Sequence, residues 1–299
     1  EKLAEGQGIF TEIDDIMDAE ALAAAPSLEV IAHRAIGLDN IDVQTATRLG
    51  ILVGNTPGVL HESCADFTFA LVLGVARRVP YSYERVRAKE WKIFDQTPYI
   101  GVDVYGKTLG LLGFGQIAQA VARRAAGFDM TPIYYDPYVA PDSVSATGAR
   151  SVGFDELLET SDAVSLHVPL TDETRQMIDA DALGRMKPSA ILVNTARGAV
   201  VDTAALAAAL REGKIAGAGV DVLPAEPARA DEPLIQLWRN ADESNVNLIL
   251  TPHTAFYSVE GLLEMRTKAA QEIVRALRGG KLINCVNAQW LPEEKRDRV

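Results

Sequence analysis

A chain of 299 residues, 48% hydrophobic and 23% charged, has room for two globular domains of ordinary size. Its net charge of -12 argues against nucleic acid or an anionic membrane as a direct partner, and no apolar run is long enough to span a bilayer. The two cysteines, Cys64 and Cys285, lie far apart and give neither a disulfide framework nor metal-ligand spacing, so the expected setting is a reducing cytoplasm.

The first 56 residues predict a small α/β unit. Gly8-Ile9-Phe10 reads as a strand, Asp18 to Leu22 as the start of a helix that Pro26-Ser27 breaks, and Leu28 to Ala32 as a second strand. A loop from His33 to Asn40 leads into a helix from Asp42 to Leu49, then a strand at Ile51-Leu52-Val53 and a turn at Asn55-Thr56-Pro57-Gly58. Glu62 to Arg78 predicts a helix that is apolar nearly all round, the kind buried in a core or against a second chain.

The stretch from Lys107 to Asp136 organises the rest. Thr108 to Leu112 is a short apolar run suited to a central parallel strand, and it ends in Gly113-Phe114-Gly115-Gln116-Ile117-Ala118. An amphipathic helix follows, with Ile117, Val121 and Ala125 on one face, and a second strand (Pro132 to Tyr135) stops at Asp136, 21 residues after Gly115. Each part has a physical task in holding a dinucleotide. Gly113 permits a tight turn, Gly115 lets backbone approach a pyrophosphate, Ala118 keeps helix and strand close, and the helix N-terminus faces the anion. Asp136 is placed to accept from the adenosine ribose hydroxyls and to repel a 2′-phosphate, which favours NAD over NADP.

The strand-helix alternation then repeats. Strands are predicted at Ala163 to Leu166, Ile191 to Asn194, Ala216 to Val220 and Asn247 to Leu250, with a helix from Thr203 to Glu212 between the second and third. Such alternation means a parallel, doubly wound sheet. A long helix from Val259 to Leu277 is expected to carry the chain back to the first domain, and Pro292 to Val299 reads as a charged, solvated tail.

Ligands bind outside the carboxyl ends of the strands in such sheets. Arg197 follows one predicted strand, Asp221 and Glu226 the next, and His253 the last. Hydride transfer at a carbon bearing oxygen needs a proton handled at that oxygen. A histidine does this near neutral pH, a carboxylate beside it stabilises the protonated ring, and a guanidinium holds a substrate carboxylate in two parallel hydrogen bonds. Taken singly, Arg197 is an ordinary surface cation, Glu226 an exposed turn and His253 a structural histidine. Their joint placement at successive strand ends points to chemistry. His33 precedes a loop, His61 reads as a surface residue at a helix start, and His167 fits a cofactor loop better than a catalytic role.

Across almost its whole length the chain resembles the D-isomer-specific 2-hydroxyacid dehydrogenases. The matching stretches are GLDNIDVQTATRLGILVGNTPGV, GFGQIA, SLHVPLTDETRQMI, ILVNTARGAVVD, GVDVLPAEP and LTPHTA. The resemblance implies a Rossmann NAD-binding domain over residues 57–257 and a smaller flavodoxin-like substrate domain over residues 1–56 and 258–299. It implies catalytic roles for Arg197, Glu226 and His253, with Arg197 also on the substrate. NAD contacts are implied for Gly113, Gly115, Gln116, Ile117, Asp136, His167, Val168, Pro169, Thr195, Ala196, Asp221 and His253. Backbone amides of Ala35, Ile36 and Gly37 would hold the carboxylate of a small 2-hydroxy or 2-oxo acid. It also implies a homodimer formed through the cofactor domain.

Two departures stand out: Ala35 occupies a position where the family usually has glycine, and His33 one where arginine is frequent, with Arg34 next to it. The two strands expected first in the substrate domain are also missing, as in a chain trimmed at its N-terminus. Within the family, HTAFYS and NCVN resemble the C-terminal-binding-protein branch, whose members are NAD-responsive corepressors. That resemblance carries a rival expectation, a nucleotide-sensing binding protein. The formate dehydrogenase branch places glutamine where this chain has Glu226.

Overall fold

The computed structural model describes residues 5–140, 146–240 and 246–296. The chain forms two compact units, one made of Glu1–Leu60 with Tyr257–Val299 and the other of His61–Phe256.

The larger unit is built on seven parallel strands. In chain order they are β4 (Thr108–Leu112), β5 (Thr131–Tyr135), β6 (Arg150–Ser151), β7 (Ala163–Leu166), β8 (Ile191–Asn194), β9 (Gly217–Val220) and β10 (Leu248–Leu250). They lie side by side as β10-β9-β8-β7-β4-β5-β6. The chain therefore runs outward from β4 to β6, returns to β7 beside β4, and runs outward the other way. The reversal between β4 and β7 is the switch point where a doubly wound sheet opens a crevice at its strand ends.

The central strands read as unbroken apolar runs because both faces are covered. Leu112, Val164, Leu166, Leu192 and Val220 pack to one side with Leu157, Leu183 and Leu206. Leu109, Leu111, Ala163, Ile191 and Val193 pack to the other with Phe69, Val72, Phe114 and Val121. Phe114 and Tyr134 stack with centroids 4.0 Å apart, which fixes the glycine loop to the neighbouring strand.

The apolar helix expected from Glu62 to Arg78 spans His61–Ala76, and Cys64, Ala65, Phe69, Leu71, Val72 and Val75 are buried within this unit. Its all-round apolar character thus follows from lying over the sheet. A second helix, Val79–Arg87, escaped the sequence reading: Ser82, Glu84, Arg85 and Arg87 make it polar, and Pro80 lies in its first turn after a left-handed Arg78 (φ 50°). From there to Tyr105 runs a series of exposed apolar side chains: Val86, Trp91, Ile93, Phe94, Ile100 and Tyr105. Among the described residues no helix is long and apolar enough to cross a membrane.

The smaller unit holds three parallel strands in the order β1 (Gly8–Thr11), β2 (Val30–His33) and β3 (Leu52–Gly54). Helix Val259–Leu277, with the bounds expected, packs on β1 and β2. A Cβ on Gly8 would come within 2.9 Å of Ile273 Cγ2, so only glycine permits that approach.

Two expectations need correction here. His33 is the last residue of β2 rather than a loop residue, because its ring is fully buried and bonded to Thr11 on β1. Of the expected solvated tail, Glu293 and Arg296 are exposed, but Glu293–Arg296 forms a helical turn in which Arg296 Nε donates to the Leu291 carbonyl; residues 297–299 lie outside the described residues.

Asn287, from the NCVN motif, joins the chain's late segment to this sheet. Its Oδ1 accepts from the Val53 N–H at 3.1 Å, and its Nδ2 donates to the Ile51 carbonyl at 2.9 Å and Thr47 Oγ1 at 3.0 Å.

Candidate active site

In the larger unit the glycine turn lies at the carboxyl end of β4. Gly113 has φ 84°, and a Cβ there would meet the His167 backbone at 2.8 Å, so turn geometry and close packing both demand glycine. A Cβ on Gly115 would enter open space. Helix Gln116–Ala126 begins at Gly115 with no side-chain cap, which leaves its first amides to a ligand. Asp136 follows β5; its Oδ2 accepts from the Phe114 N–H at 2.8 Å and its Oδ1 from the Tyr138 N–H at 2.9 Å. Two bonds thus aim the carboxylate beside the glycine loop. An uncapped helix start, an open approach at Gly115 and a fixed acid fit a dinucleotide.

His167, Val168 and Pro169 leave β7 across from that turn. The His167 N–H donates to the Leu112 carbonyl at 2.7 Å, and its Nε2 lies 2.9 Å from Ser165 Oγ. Burial pushes the ring down to about 3, so it is neutral and structural at ordinary pH.

The three expected catalytic side chains lie in this same unit. Arg197 follows β8, Glu226 the loop after β9, and His253 the end of β10. Glu226 Oε2 is 2.6 Å from His253 Nδ1, and its Oε1 accepts from the Leu223 N–H at 2.8 Å. Burial pushes the Glu226 carboxyl up, but His253, the Leu223 amide and Arg197 outweigh it, and the group is held below its usual range. Arg197 thus lies within electrostatic reach of the pair. Its Nη1 donates to the Ala196 carbonyl at 2.8 Å.

A Cβ on Gly198 would overlap the Leu223 backbone, at 2.0 Å from its carbonyl carbon. The glycine of TARG is what lets the arginine loop and the glutamate loop touch.

Sequence reasoning missed Asn194 and Thr68, and named Asp221 only as a cofactor contact; all three hold these loops. Asn194, buried at the end of β8, accepts from the Ala196 N–H at 3.0 Å and donates to the Arg197 carbonyl at 2.9 Å. Thr68, a hydroxyl on an otherwise apolar helix face, sits 3.1 Å from Thr195 Oγ1. Asp221 is 1% exposed: its Oδ1 accepts from Thr251 Oγ1 (2.5 Å) and the Thr254 N–H (2.9 Å), its Oδ2 from the Ala255 N–H (2.8 Å). Its own carbonyl accepts from the His253 N–H at 2.8 Å, and His253 takes φ 54°. Asp221 is therefore the post around which the histidine loop winds. A buried polar residue at a strand end is the signal that marks both Asn194 and Asp221. Phe256 places its ring edge-on to His253, with centroids 5.7 Å apart.

In the smaller unit, the loop Ala35-Ile36-Gly37 follows β2. The Ala35 carbonyl accepts from the Thr56 N–H at 3.2 Å and the Ile36 carbonyl from Asn55 Nδ2 at 3.0 Å. Because a trans peptide points its N–H opposite its carbonyl, the Ile36 and Gly37 amides are turned away from Asn55 and Thr56.

Comparison with known proteins identifies the family. The family model "D-isomer specific 2-hydroxyacid dehydrogenase, NAD binding domain" matches residues 69–255. A glyoxylate reductase of Korarchaeum cryptofilum is 46% identical over 290 residues, covering 97% of this chain and 85% of the relative. A D-3-phosphoglycerate dehydrogenase of Mycobacterium leprae is 38% identical, over 95% of this chain and 51% of its own. A D-lactate dehydrogenase from Aquifex aeolicus, solved with NAD and lactic acid, superposes with a TM-score of 0.83 at 32% identity, over 93% of this chain and 85% of that one. The rival expectation of a nucleotide-sensing corepressor finds no support among these relatives. The chain belongs to the D-isomer specific 2-hydroxyacid dehydrogenase family, as an NAD-linked oxidoreductase of 2-hydroxy and 2-oxo acids.

Proposed function

We propose that this protein reduces glyoxylate or a similarly small 2-oxo acid to the corresponding 2-hydroxy acid, with His253 as the acid, Glu226 as its partner and Arg197 as the substrate anchor. The 2.6 Å contact between Glu226 and His253 Nδ1 carries the reading, because it leaves the opposite ring nitrogen for the substrate oxygen. Relatives named glyoxylate reductase at 42–46% identity support the substrate class, and Phe256, packed against the histidine, favours a short substituent.

Bound NADH supplies the hydride. The glycine turn, the first amides of helix Gln116–Ala126 and Asp136 bind the cofactor's pyrophosphate and adenosine ribose, with contacts from Ile117, from His167 to Pro169, and from Thr195 and Ala196. The charge on Asp136 selects NAD over NADP. Arg197 fixes the substrate carboxylate and polarises the carbonyl. The Ile36 and Gly37 amides add donors to that carboxylate. His253 Nε2 gives its proton to the carbonyl oxygen, and Glu226 stabilises the protonated ring before transfer.

A second copy of the chain covers the exposed apolar series between Val79 and Tyr105, making a homodimer. Two free cysteines, with burial and then Asp221 pushing the Cys64 thiol up to about 12, fit a reducing cytoplasm.

The test is NADH oxidation with glyoxylate by the wild type and His253→Asn. The variant should lose about 10²–10⁴-fold in turnover while binding NADH as before. Equal losses in turnover and NADH binding would remove His253 from the acid role.

A further inference from the structure

Tyr138 belongs to the loop that leaves β5, two residues beyond Asp136, whereas Glu173 lies in the loop that leaves β7. Both strands flank β4 and run parallel to it, so the two loops emerge at the carboxyl edge on either side of the glycine turn. Strands separated by one shared neighbour lie roughly 10 Å apart. Side chains close that gap here: Tyr138 Oη donates to Glu173 Oε2 at 2.8 Å. The bond crosses the mouth of the crevice outside β4.

No core requires this bond, since Tyr138 is 81% exposed and Glu173 is exposed as well. Both of its ends are nevertheless anchored. The Tyr138 N–H donates to Asp136 Oδ1 at 2.9 Å, and Asp136 Oδ2 in turn holds the Phe114 N–H of the glycine loop at 2.8 Å. On the other side Thr174 Oγ1 donates to the Pro169 carbonyl at 2.6 Å and accepts from the Thr171 N–H at 2.8 Å, which folds the loop around Glu173. The Tyr138 hydroxyl is where two carboxylates meet. Its bond to Glu173 pushes it up, and the charge of Asp136 adds to the effect. Glu173 therefore bears on the same corner as Asp136, although it comes from the opposite loop.

Such a corner rejects a further anion. A phosphate monoester carries about −1.5 to −2 charge near neutral pH. Dinucleotide sites that accept a 2′-phosphate place an arginine near the ribose. Here the side chain just beyond Asp136 is a tyrosine, and what it fixes beside the ribose corner is a second carboxylate.

We propose that Glu173, held across the crevice by Tyr138, is a second specificity residue against the 2′-phosphate, so that two loops set the preference for NAD. This rests on the reading in which Asp136 receives the adenosine ribose hydroxyls. Glu173 acts by charge on the phosphate of the competing cofactor, and Tyr138 acts through Glu173 by fixing its position.

The experiment measures NADH binding by fluorescence and NADPH binding by displacement of NADH, with kcat/KM for each cofactor on glyoxylate alongside. Wild type, Glu173→Gln, Tyr138→Phe and Asp136→Asn are compared at about 0.1 M and 1 M salt, between which the Debye length falls from about 10 to 3 Å. Glu173→Gln keeps an oxygen for the Tyr138 hydroxyl and loses only the charge. At the lower salt it should tighten NADPH about 3- to 10-fold while NADH stays within about twofold, and at the higher salt most of that gain should vanish. Tyr138→Phe, which frees the carboxylate without removing it, should show a smaller gain of the same sign. Unchanged NADPH binding in Glu173→Gln overturns the proposal, as does an equal gain on both cofactors or a gain indifferent to salt. A Tyr138→Phe protein that discriminates like wild type overturns the tether. Asp136→Asn separates the two readings. If it leaves the NADH-to-NADPH ratio as in wild type, the ribose assignment falls and this inference with it. If it shifts the ratio and Glu173→Gln does not, the inference alone is defeated.

Discussion

Glu226 is the side chain whose chemistry is most tightly constrained by its surroundings. It accepts from Leu223, faces His253 and feels Arg197, and these outweigh the burial that pushes it up. Its pKa is therefore depressed, so the interaction with His253 is fully present above the ordinary glutamate value of about 4.3 and fades only as pH falls through the lower folded value. Across the neutral range the pair keeps its negative partner. Glu226→Gln removes that charge and with it the preference for a protonated ring. In the reducing direction the descending, alkaline limb of the pH–rate profile should move to lower pH, and kcat/KM at pH 7 should fall about 100-fold. Rates measured from pH 5 to 9 test this, and an alkaline limb that stays in place would show that the carboxylate does not hold the proton.

The strands and helices were legible in proportion to how continuous their apolar patterns are. The strands Ala163–Leu166 and Ile191–Asn194 and the helix Val259–Leu277 fall where the sequence puts them, because parallel strands covered on both faces leave an unbroken apolar signature and a 19-residue helix an unambiguous period. Helix Val79–Arg87 was missed because it is short and buries no residue, so its only apolar face (Val79, Tyr83 and Val86) has no core partner to make it read as a helix. Arg197, Glu226 and His253 could be read because they lie in the loops that follow the carboxyl ends of strands. Asn194, Thr68 and the anchoring role of Asp221 could not, because each depends on a partner brought close only by folding. Asn287 is of the same kind: its three hydrogen bonds reach residues 47–53 across more than two hundred positions of chain. Asn287→Ala leaves the Val53 amide and Ile51 carbonyl without partners, at a cost of about 2–4 kcal/mol. Amide exchange at Val53 should accelerate to match; protection equal to wild type would mean that the clasp contributes nothing.

At the scale of the whole molecule, the exposed apolar side chains between Val79 and Tyr105 are the ones on which the proposed dimer rests. Phe94 is 85% exposed and Ile93 75%, and apolar side chains left exposed along one stretch of chain fit the interface of the proposed homodimer. Sedimentation should give twice the 32.2 kDa chain mass, and Ile93→Glu with Phe94→Glu should shift the particle to a single chain. A wild type that sediments as one chain at micromolar concentration would contradict the dimer.

The smaller unit is assembled from both ends of the chain, with β1 to β3 at one end and helix Val259–Leu277 and the Asn287 clasp at the other. During synthesis the three strands therefore leave the ribosome long before the helix that covers them. At ordinary elongation speeds, the stretch from His61 to Phe256 takes roughly 10–40 s to make. For that interval β1 and β2 carry apolar residues such as Val30 with their packing partner not yet made, whereas the larger unit has its entire core in hand. The nucleotide-binding unit is thus free to fold first on the nascent chain. The small sheet is the last part to become native, and the segment whose transient exposure chaperones must shield.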